Sequence, residues 1–166
     1  MDPRARELIE RLGLRPHPEG GWFAETWRAS ERVAARVGER SAGTAILYLI
    51  TPESFSTLHR VASDEVFHFH LGDPVEMLQF DEAGRVERLV LGTDLAAGMR
   101  PQAVVPAGTW QASRPLAGGA FALLGATVAP GFDFADFELG QRAALTARFP
   151  ALADEIARLT HAPRSD

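Results

Sequence analysis

The chain has no cysteine among its 166 residues. That absence excludes disulfide bonds and thiol chemistry, so a metal ligand must be histidine, carboxylate, amide or water. Positive charge is also scarce, because 17 basic residues against 22 acidic ones give a formal net charge of −5. An acidic balance disfavours nucleic acid and anionic membranes as partners. We therefore expect a small-molecule ligand, with no nucleic-acid and no membrane partner.

Long apolar runs are missing too. No run approaches the roughly 20 residues that span a bilayer, and the N-terminal residues are charged rather than signal-like. We therefore expect a cytoplasmic protein. An apolar content of 46% and a charged content of 23% are ordinary for a globular domain. The length predicts a single domain over residues 1–166, with a core at about 14–138 and C-terminal helices within 139–160.

Short strands separated by Gly and Pro turns dominate the middle of the chain, and helical patterns occur only at its ends. Asp2 and Pro3 are typical of a helix start, and Gly13 of a helix stop. Pro150 divides the helical tail into 141–149 and 151–160. This order predicts an all-β sandwich or barrel with a short N-terminal helix and C-terminal helices.

Residues 54–74 hold three of the five histidines, and within them 65–71 read as a strand that runs into a Gly-Asp-Pro turn. Side chains alternate between the faces of a strand. One face therefore carries Glu65, Phe67, Phe69 and Leu71, and the other carries Val66, His68 and His70. The first face is mostly apolar and is predicted to face the core. For His68 and His70 an outward or interface position is favoured over a ligand pair.

Glu65 is a carboxylate at the head of an apolar row, which is costly unless another group pairs with it. His59, on the preceding strand, is the candidate partner. Such a pair can bind a metal or act as an acid–base pair. The alternative is that Glu65 ends a solvated loop and that His59 is a rim histidine.

Upstream, two prolines and two glycines around His17 and Glu19 predict a shaped loop before the strand at 22–28. His17 and Glu19 could line a pocket with Glu25 and Arg28, or all four could be solvated. Alternation places Glu25 with Phe23 and Trp27 on one face and Arg28 on the other. Tyr48 lies in an apolar strand, where core packing is favoured over a catalytic phenol.

Several motifs, in order along the chain, resemble the cupin superfamily. Glu65, six residues and Gly72 resemble the second half of its first motif. Pro106-x-Gly108-x-x-Gln111 resembles its second motif, with Gln111 in place of the usual metal-binding histidine. His59 stands at the first position of the His-x-His pair, and Val61 replaces the second histidine. The Pro-His-Pro-Glu-Gly-Gly opening at 16–21 resembles one branch of RmlC-like cupins, whose function is unknown.

The resemblance implies a double-stranded β-helix, or jelly-roll barrel, often dimeric, with its site in the barrel mouth. Metal-binding cupins use two histidines, one glutamate and a third histidine. Here the matching set is His59, Glu65 and Gln111, which implies at most a weakly bound divalent metal. The non-metal sugar epimerases of the superfamily instead exchange protons through a histidine and a tyrosine.

Three functions follow as hypotheses. The first is an isomerase or epimerase that uses His59 and Glu65 as its acid–base pair, with Arg28 or Arg60 holding an anionic group. The second is a weakly metal-dependent enzyme, and the third is a non-catalytic ligand-binding protein. The remaining candidate ligand-binding residues are Glu25, Tyr48, Phe67, Phe69 and Gln111.

The strand at 22–28 carries two tryptophans and reads as an apolar edge strand, which needs cover. We therefore expect a two-fold homodimer that buries it by extending the sheet across the subunits.

Overall fold

Two antiparallel sheets pack face to face in the computed structural model, which describes residues 1–160. Residues 161–166 of the predicted domain lie outside the described residues. The strands, in chain order, are β1 (Arg15–Pro16), β2 (Trp22–Arg28), β3 (Arg32–Ala34), β4 (Glu39–Ser41), β5 (Thr44–Ile50), β6 (Ser56–Val61), β7 (Asp64–Gly72), β8 (Val75–Phe80), β9 (Val86–Leu91), β10 (Gln102–Val105), β11 (Trp110–Pro115), β12 (Ala122–Ala129) and β13 (Phe137–Leu139).

One sheet has the strand order β1-β2-β5-β12-β7-β10, and the other has the order β13-β6-β11-β8-β9. This arrangement confirms the predicted all-β jelly-roll barrel. Strands β3 and β4 form a separate hairpin in the segment at 31–42.

The helices lie at the two ends of the described chain, as predicted. They are α1 (Pro3–Arg11), α2 (Arg142–Arg148) and α3 (Ala153–Arg158). The Asp2 carboxylate caps α1 by accepting the backbone N–H groups of Arg4 and Ala5. A 3-10 turn that starts at Pro150 separates α2 from α3. No helix within residues 1–160 is long and apolar enough to cross a membrane.

Apolar side chains form three clusters. The inner cluster lies between the sheets and includes Tyr48, Phe67, Met77 and Leu124. A second cluster packs α2 and α3 on the outer face of the five-stranded sheet. A third packs α1 on the outer face of the six-stranded sheet. The helices therefore cover part of the outer face of each sheet.

Two β-bulges change which face several side chains occupy. In β2 the pairing with β5 shifts between Glu25 and Trp27, so Arg28 reaches the same cavity as Glu25. The predicted opposite faces for Glu25 and Arg28 are therefore wrong. In β7 the pairing shifts at His70, and Leu71 lies opposite Leu123 of the outer cluster rather than facing inward. A bulge adds one residue to a strand, so strict alternation fails beyond it.

Strand β2 lies next to the edge of its sheet. The two-residue β1 covers it only at Trp22 and Phe23, and Trp27 is 52% exposed. A homodimer through this edge stays a prediction of the sequence. Trp27→Glu is expected to shift a dimer towards monomer, because it would place a charge in the covered edge.

Sedimentation at micromolar concentration measures this shift. Leu95→Glu changes another exposed apolar residue and serves as the control. A wild-type protein that sediments as a monomer would contradict the prediction.

Candidate functional site

A cavity of about 270 Å³ opens at the barrel mouth. Strands β2, β5, β6, β7 and β12 contribute to its wall, together with the loop at 17–21 and the segment at 132–134. Its apolar wall includes Phe23, Ile46, Phe67 and Val128, and its polar groups are mostly histidines and carboxylates. The size suits a small molecule.

The loop at 17–21 brings Glu19 into the barrel. Its two glycines have positive φ angles, and a Cβ on Gly20 would lie 2.1 Å from the carbonyl oxygen of Phe55. Only glycine permits this approach of the loop to the neighbouring chain. The loop is fastened to β6 by Thr57, whose backbone N–H and hydroxyl both donate to the Glu19 carbonyl, at 3.0 and 2.7 Å.

The Glu19 carboxylate lies between two imidazoles. Its Oε2 is 3.4 Å from Nδ1 of His17 and 3.3 Å from Nε2 of His59. Its Oε1 accepts the Ser56 hydroxyl at 2.8 Å. All four side chains come from the loop or from β6, and Glu19 and His59 are buried. The loop therefore supplies a carboxylate to the histidine that the sequence singles out.

The backbone fixes the tautomer of His59. Its Nδ1 lies 2.8 Å from the carbonyl oxygen of Thr57, and a carbonyl only accepts, so Nδ1 carries a hydrogen. In the neutral ring Nε2 then has no hydrogen and can take a proton, and it lies 3.3 Å from Oε2 of Glu19. Glu19 and His59 therefore place a carboxylate and an imidazole nitrogen side by side at the cavity.

His17 differs from His59. Its Nδ1 accepts the backbone N–H of Glu19 at 3.3 Å. Burial lowers the pKa of His17, the charge of Glu19 opposes this, and the nearby His59 lowers the pKa further. His17 is therefore neutral near pH 7, with its hydrogen on Nε2.

Glu65 is held by Gln111. Nε2 of Gln111 donates to Oε2 of Glu65 at 2.6 Å, and both residues are buried. Burial raises the pKa of Glu65 to about 7. The neighbouring His59 lowers it, the charge of Glu19 raises it, and the Gln111 hydrogen bond lowers it. Near neutral pH this carboxyl group therefore exists in both protonated and ionised forms, as acid–base catalysis requires.

The structure brings His59, Glu65 and Gln111 together, although in a different pairing from the predicted one. Gln111 lies opposite His59 in the pairing of β11 with β6. The side chain bonded to Glu65 is Gln111, while His59 contacts Glu19. Spacing along the chain does not show that the loop at 17–21 places Glu19 beside His59. The sequence therefore suggested His59, rather than Gln111, as the partner of Glu65.

Three other predicted residues also line the cavity. Arg28 donates to both carboxylate oxygens of Glu25, at 2.9 and 2.7 Å, and to the carbonyl of Phe132 at 3.2 Å. Tyr48 is buried and donates its hydroxyl to the carbonyl of Gly20 at 2.8 Å. Burial and the nearby Glu19 raise the pKa of Tyr48 well above its ordinary value. The phenol therefore stays protonated.

Arg60 and Phe69 are not among the residues that line the cavity. Arg60 follows His59 on β6, so its side chain takes the opposite face, where it pairs with Glu82 and Glu138. Its predicted contact with a ligand in the barrel is therefore wrong. Phe69 packs against the inner cluster below the cavity.

His68 lies outside the cavity, on the face predicted for it. Its ring contacts Thr127 and Gln102 at 3.2 Å each. His70, two residues further on, is exposed and lies against Gly125 of β12. Neither histidine lines the cavity.

An aromatic wall at 132–137 closes one side of the site, and the sequence analysis did not assign it a role. Phe137 stacks on His59 with ring centroids 5.5 Å apart. Phe132 and Phe134 meet at 84° with centroids 5.0 Å apart. Arg40 of the β3–β4 hairpin holds the segment through two hydrogen bonds to Asp136, at 2.7 and 2.8 Å. The alternation of aromatic and acidic residues in this segment is the sequence signal that could have identified the aromatic wall.

The donor atoms at this site do not fit a resident metal. Within residues 1–160 no three His, Asp or Glu side chains are arranged to hold one. Nδ1 of His59 is bonded to Thr57, its Nε2 faces Glu19, and Gln111 turns an amide N–H towards Glu65. A metal on His59, Glu65 and Gln111 would have to break these contacts. Weak binding of added metal stays a prediction of the sequence.

Comparisons with known proteins agree with this architecture. Residues 6–140 match the family model described as Cupin superfamily (DUF985). A hypothetical protein from Leishmania major is 33% identical, with a TM-score of 0.91 over 95% of this chain and 99% of that one. A protein from Shewanella oneidensis is 34% identical, with a TM-score of 0.88 over 95% and 97%.

More distant structures share the fold alone. An oxalate decarboxylase variant from Bacillus subtilis is 16% identical, with a TM-score of 0.56 over 90% of this chain and 38% of that one. A search of curated proteins finds no match. The family match covers most of the chain, and the chain belongs to the cupin superfamily, in the family described as DUF985.

Proposed function

We propose that the protein is an isomerase or epimerase that moves a proton on a small carbonyl compound through its own side chains. The observation that carries this proposal is the position of Nε2 of His59 beside the Glu19 carboxylate at the cavity, with the ring hydrogen held on Nδ1 by the Thr57 carbonyl. A keto-sugar is the substrate class that the resemblance to sugar epimerases suggests. Phe67 and Phe23 would pack against its carbon skeleton.

Four side chains have roles in this proposal. Nε2 of His59 takes the proton from the carbon next to the carbonyl, and the Glu19 carboxylate stabilises the imidazolium that forms. Protonated Glu65 gives its proton to the carbonyl oxygen, and the product is an enediol. Return of a proton to the other face, or to the neighbouring carbon, yields the epimer or the isomer. Tyr48 stays protonated and holds the loop through Gly20.

A non-catalytic ligand-binding protein is the second candidate. It is favoured by the aromatic wall, where Phe134 is 52% exposed at the mouth of the cavity. An exposed ring at a cavity mouth suits contact with a bound molecule. This candidate needs no exchange of protons with a substrate, and the following experiment separates the two.

His59→Ala is expected to reduce proton exchange by about 10²–10⁴-fold, because it removes the base. The assay incubates the protein in D₂O with a panel of small ketones, aldehydes and keto-sugars, and NMR measures deuterium in the recovered compounds. A wild-type protein that labels none of them would favour the ligand-binding candidate.

His68→Ala is the matched control, because His68 lies outside the cavity and contacts Thr127. Its exchange rate should equal that of the wild type. Thermal unfolding of both variants checks that the fold survives. Equal loss of exchange in both variants would argue against His59 as the base.

A further inference from the structure

We infer that the ligand of this cavity is a small organic cation, carrying an ammonium group bound against Phe132, Phe134 and Asp133. The inference names the substrate class of the site described under the proposed function and rests on that site. It replaces the anionic group that the sequence analysis assigned to Arg28 or Arg60.

Carboxyl groups outnumber cationic groups around the cavity. Four carboxyl side chains line it, namely Glu19, Glu25, Glu65 and Asp133. Arg28 is the one Arg or Lys among the described lining residues. His17 does not offset the difference, because its burial keeps the ring neutral. Glu19 faces His59 and Glu25 binds Arg28, so the acidity of the cavity comes mainly from Glu65 and Asp133. The cavity is therefore at a negative potential, which attracts cations and repels anions.

Arg28 is already committed to the protein. Its Nε and Nη2 bind the two oxygens of Glu25, and Nη2 also binds the carbonyl of Phe132. This bidentate pair occupies the guanidinium N–H groups that would otherwise bind a carboxylate or phosphate of the ligand. An anionic ligand would have to displace Glu25 and leave that carboxylate without its partner.

Aromatic rings give a cation a second favourable surface. Phe132 and Phe134 meet nearly at a right angle, and Phe23 lines the same cavity. The face of an aromatic ring is electron-rich and attracts alkylammonium groups, and perpendicular rings form the walls of the cages that bind them. Asp133 lies between Phe132 and Phe134 in the chain and also lines the cavity. Its Oδ1 accepts the N–H of Ala135, which fixes the turn.

The acidic residues and the aromatic rings of the cavity are independent features, and neither requires the other. A surface turn needs a capping aspartate, but it does not need two flanking phenylalanines, one of them half exposed. A purely apolar ligand would use the rings but would make no use of the charge of Asp133. A small ammonium compound uses both features and fits a volume of about 270 Å³.

Three probes of nearly equal shape test the charge preference. They are choline, its neutral isostere 3,3-dimethylbutan-1-ol, and the anion 3,3-dimethylbutanoate. Titration followed by NMR shifts of the protein gives each dissociation constant at low ionic strength. Choline is expected to bind about 3- to 30-fold more tightly than the neutral isostere, the range of a cation–π contact. The anion is expected to bind most weakly of the three.

Two variants test which residues cause the preference for choline over its neutral isostere. Asp133→Asn keeps a side chain that caps a turn and removes the charge, and Phe134→Ala removes the ring. Each should reduce the ratio between choline and the neutral isostere towards one. The controls are Asp154→Asn, an exposed acidic residue of α3, and Trp27→Ala, which removes a ring exposed to the same 52%. Both controls should keep the wild-type ratio.

Equal affinity for choline and its neutral isostere would overturn the inference, as would the absence of any choline binding or a preference for the anion. These outcomes are distinct from failure of the proposed function. The exchange panel is therefore extended with aminoketones and amino sugars, and choline binding without deuterium exchange into any of these carbonyl compounds would support the cation site and contradict the isomerase. Exchange into neutral sugars without choline binding would do the reverse.

Discussion

Glu65→Gln is expected to raise the free energy of unfolding above pH 7 by about 3 kcal/mol while it removes the proposed acid. Burial holds the pKa of Glu65 at about 7, compared with its ordinary 4.5. Each unit of difference corresponds to about 1.4 kcal/mol. Glutamine has nearly the same shape, carries no charge at any pH, and its carbonyl oxygen can still accept the amide of Gln111.

The direction in which the free energy of unfolding changes with pH follows from proton binding to Glu65. Between about pH 4.5 and pH 7 the folded protein holds the Glu65 proton and the unfolded chain has released it. The Glu65 contribution to the free energy of unfolding therefore falls as pH rises through this window, and it stays low above pH 7. At pH 4, where both states hold the proton, the wild type and the glutamine variant should have nearly equal stability.

Denaturant unfolding at pH 5 and pH 8 measures the effect. The variant should lose less stability than the wild type between these two values. Glu10→Gln changes an exposed glutamate of α1 and should follow the wild type at both pH values. An identical pH dependence in wild type and Glu65→Gln would show that the carboxyl group of Glu65 is not buried as described.

The barrel could be predicted from the sequence because its signals are local. Gly and Pro turns mark the ends of the strands, and the capped α1 begins where Asp2 and Pro3 place it. Glu65 on β7 and Gln111 on β11 meet across the two sheets, and this convergence followed from the resemblance to short cupin motifs. Each of these features depends on neighbours in sequence or on a repeated pattern.

The remaining parts of the site depend on contacts that spacing does not encode. The bulge in β2 moves Arg28 to the face of Glu25, and one extra residue is invisible to a period-2 pattern. Arg40 and Asp136 are 96 residues apart in the chain, yet their ion pair positions the aromatic wall. Glu19 was a candidate for the pocket, but its contact with His59 depends on how the glycine loop folds back.

The second large effect concerns metal binding. The double variant Val61→His, Gln111→His is expected to bind a divalent metal such as Zn²⁺ or Ni²⁺ stoichiometrically. Val61 is buried, lies two residues from His59 on the same face of β6, and lines the cavity, which has room for a larger ring. Gln111 lies opposite His59 on β11 and beside Glu65. The two substitutions would surround one point with three imidazoles and a carboxylate, the donors that such metals prefer.

Equilibrium dialysis followed by elemental analysis measures the metal content of the double variant and of the wild type. We expect about one metal per chain in the double variant and an affinity at least 100-fold above that of the wild type, since each added histidine contributes a strong ligand. Adding His59→Ala removes one of the imidazoles and should reverse most of the gain. Equal metal affinity in the double variant and the wild type would show that His59, Glu65 and the two substituted positions do not share one centre. A wild-type protein that already holds one metal tightly would mean that the contacts of His59 with Thr57 and Glu19 yield readily to a metal.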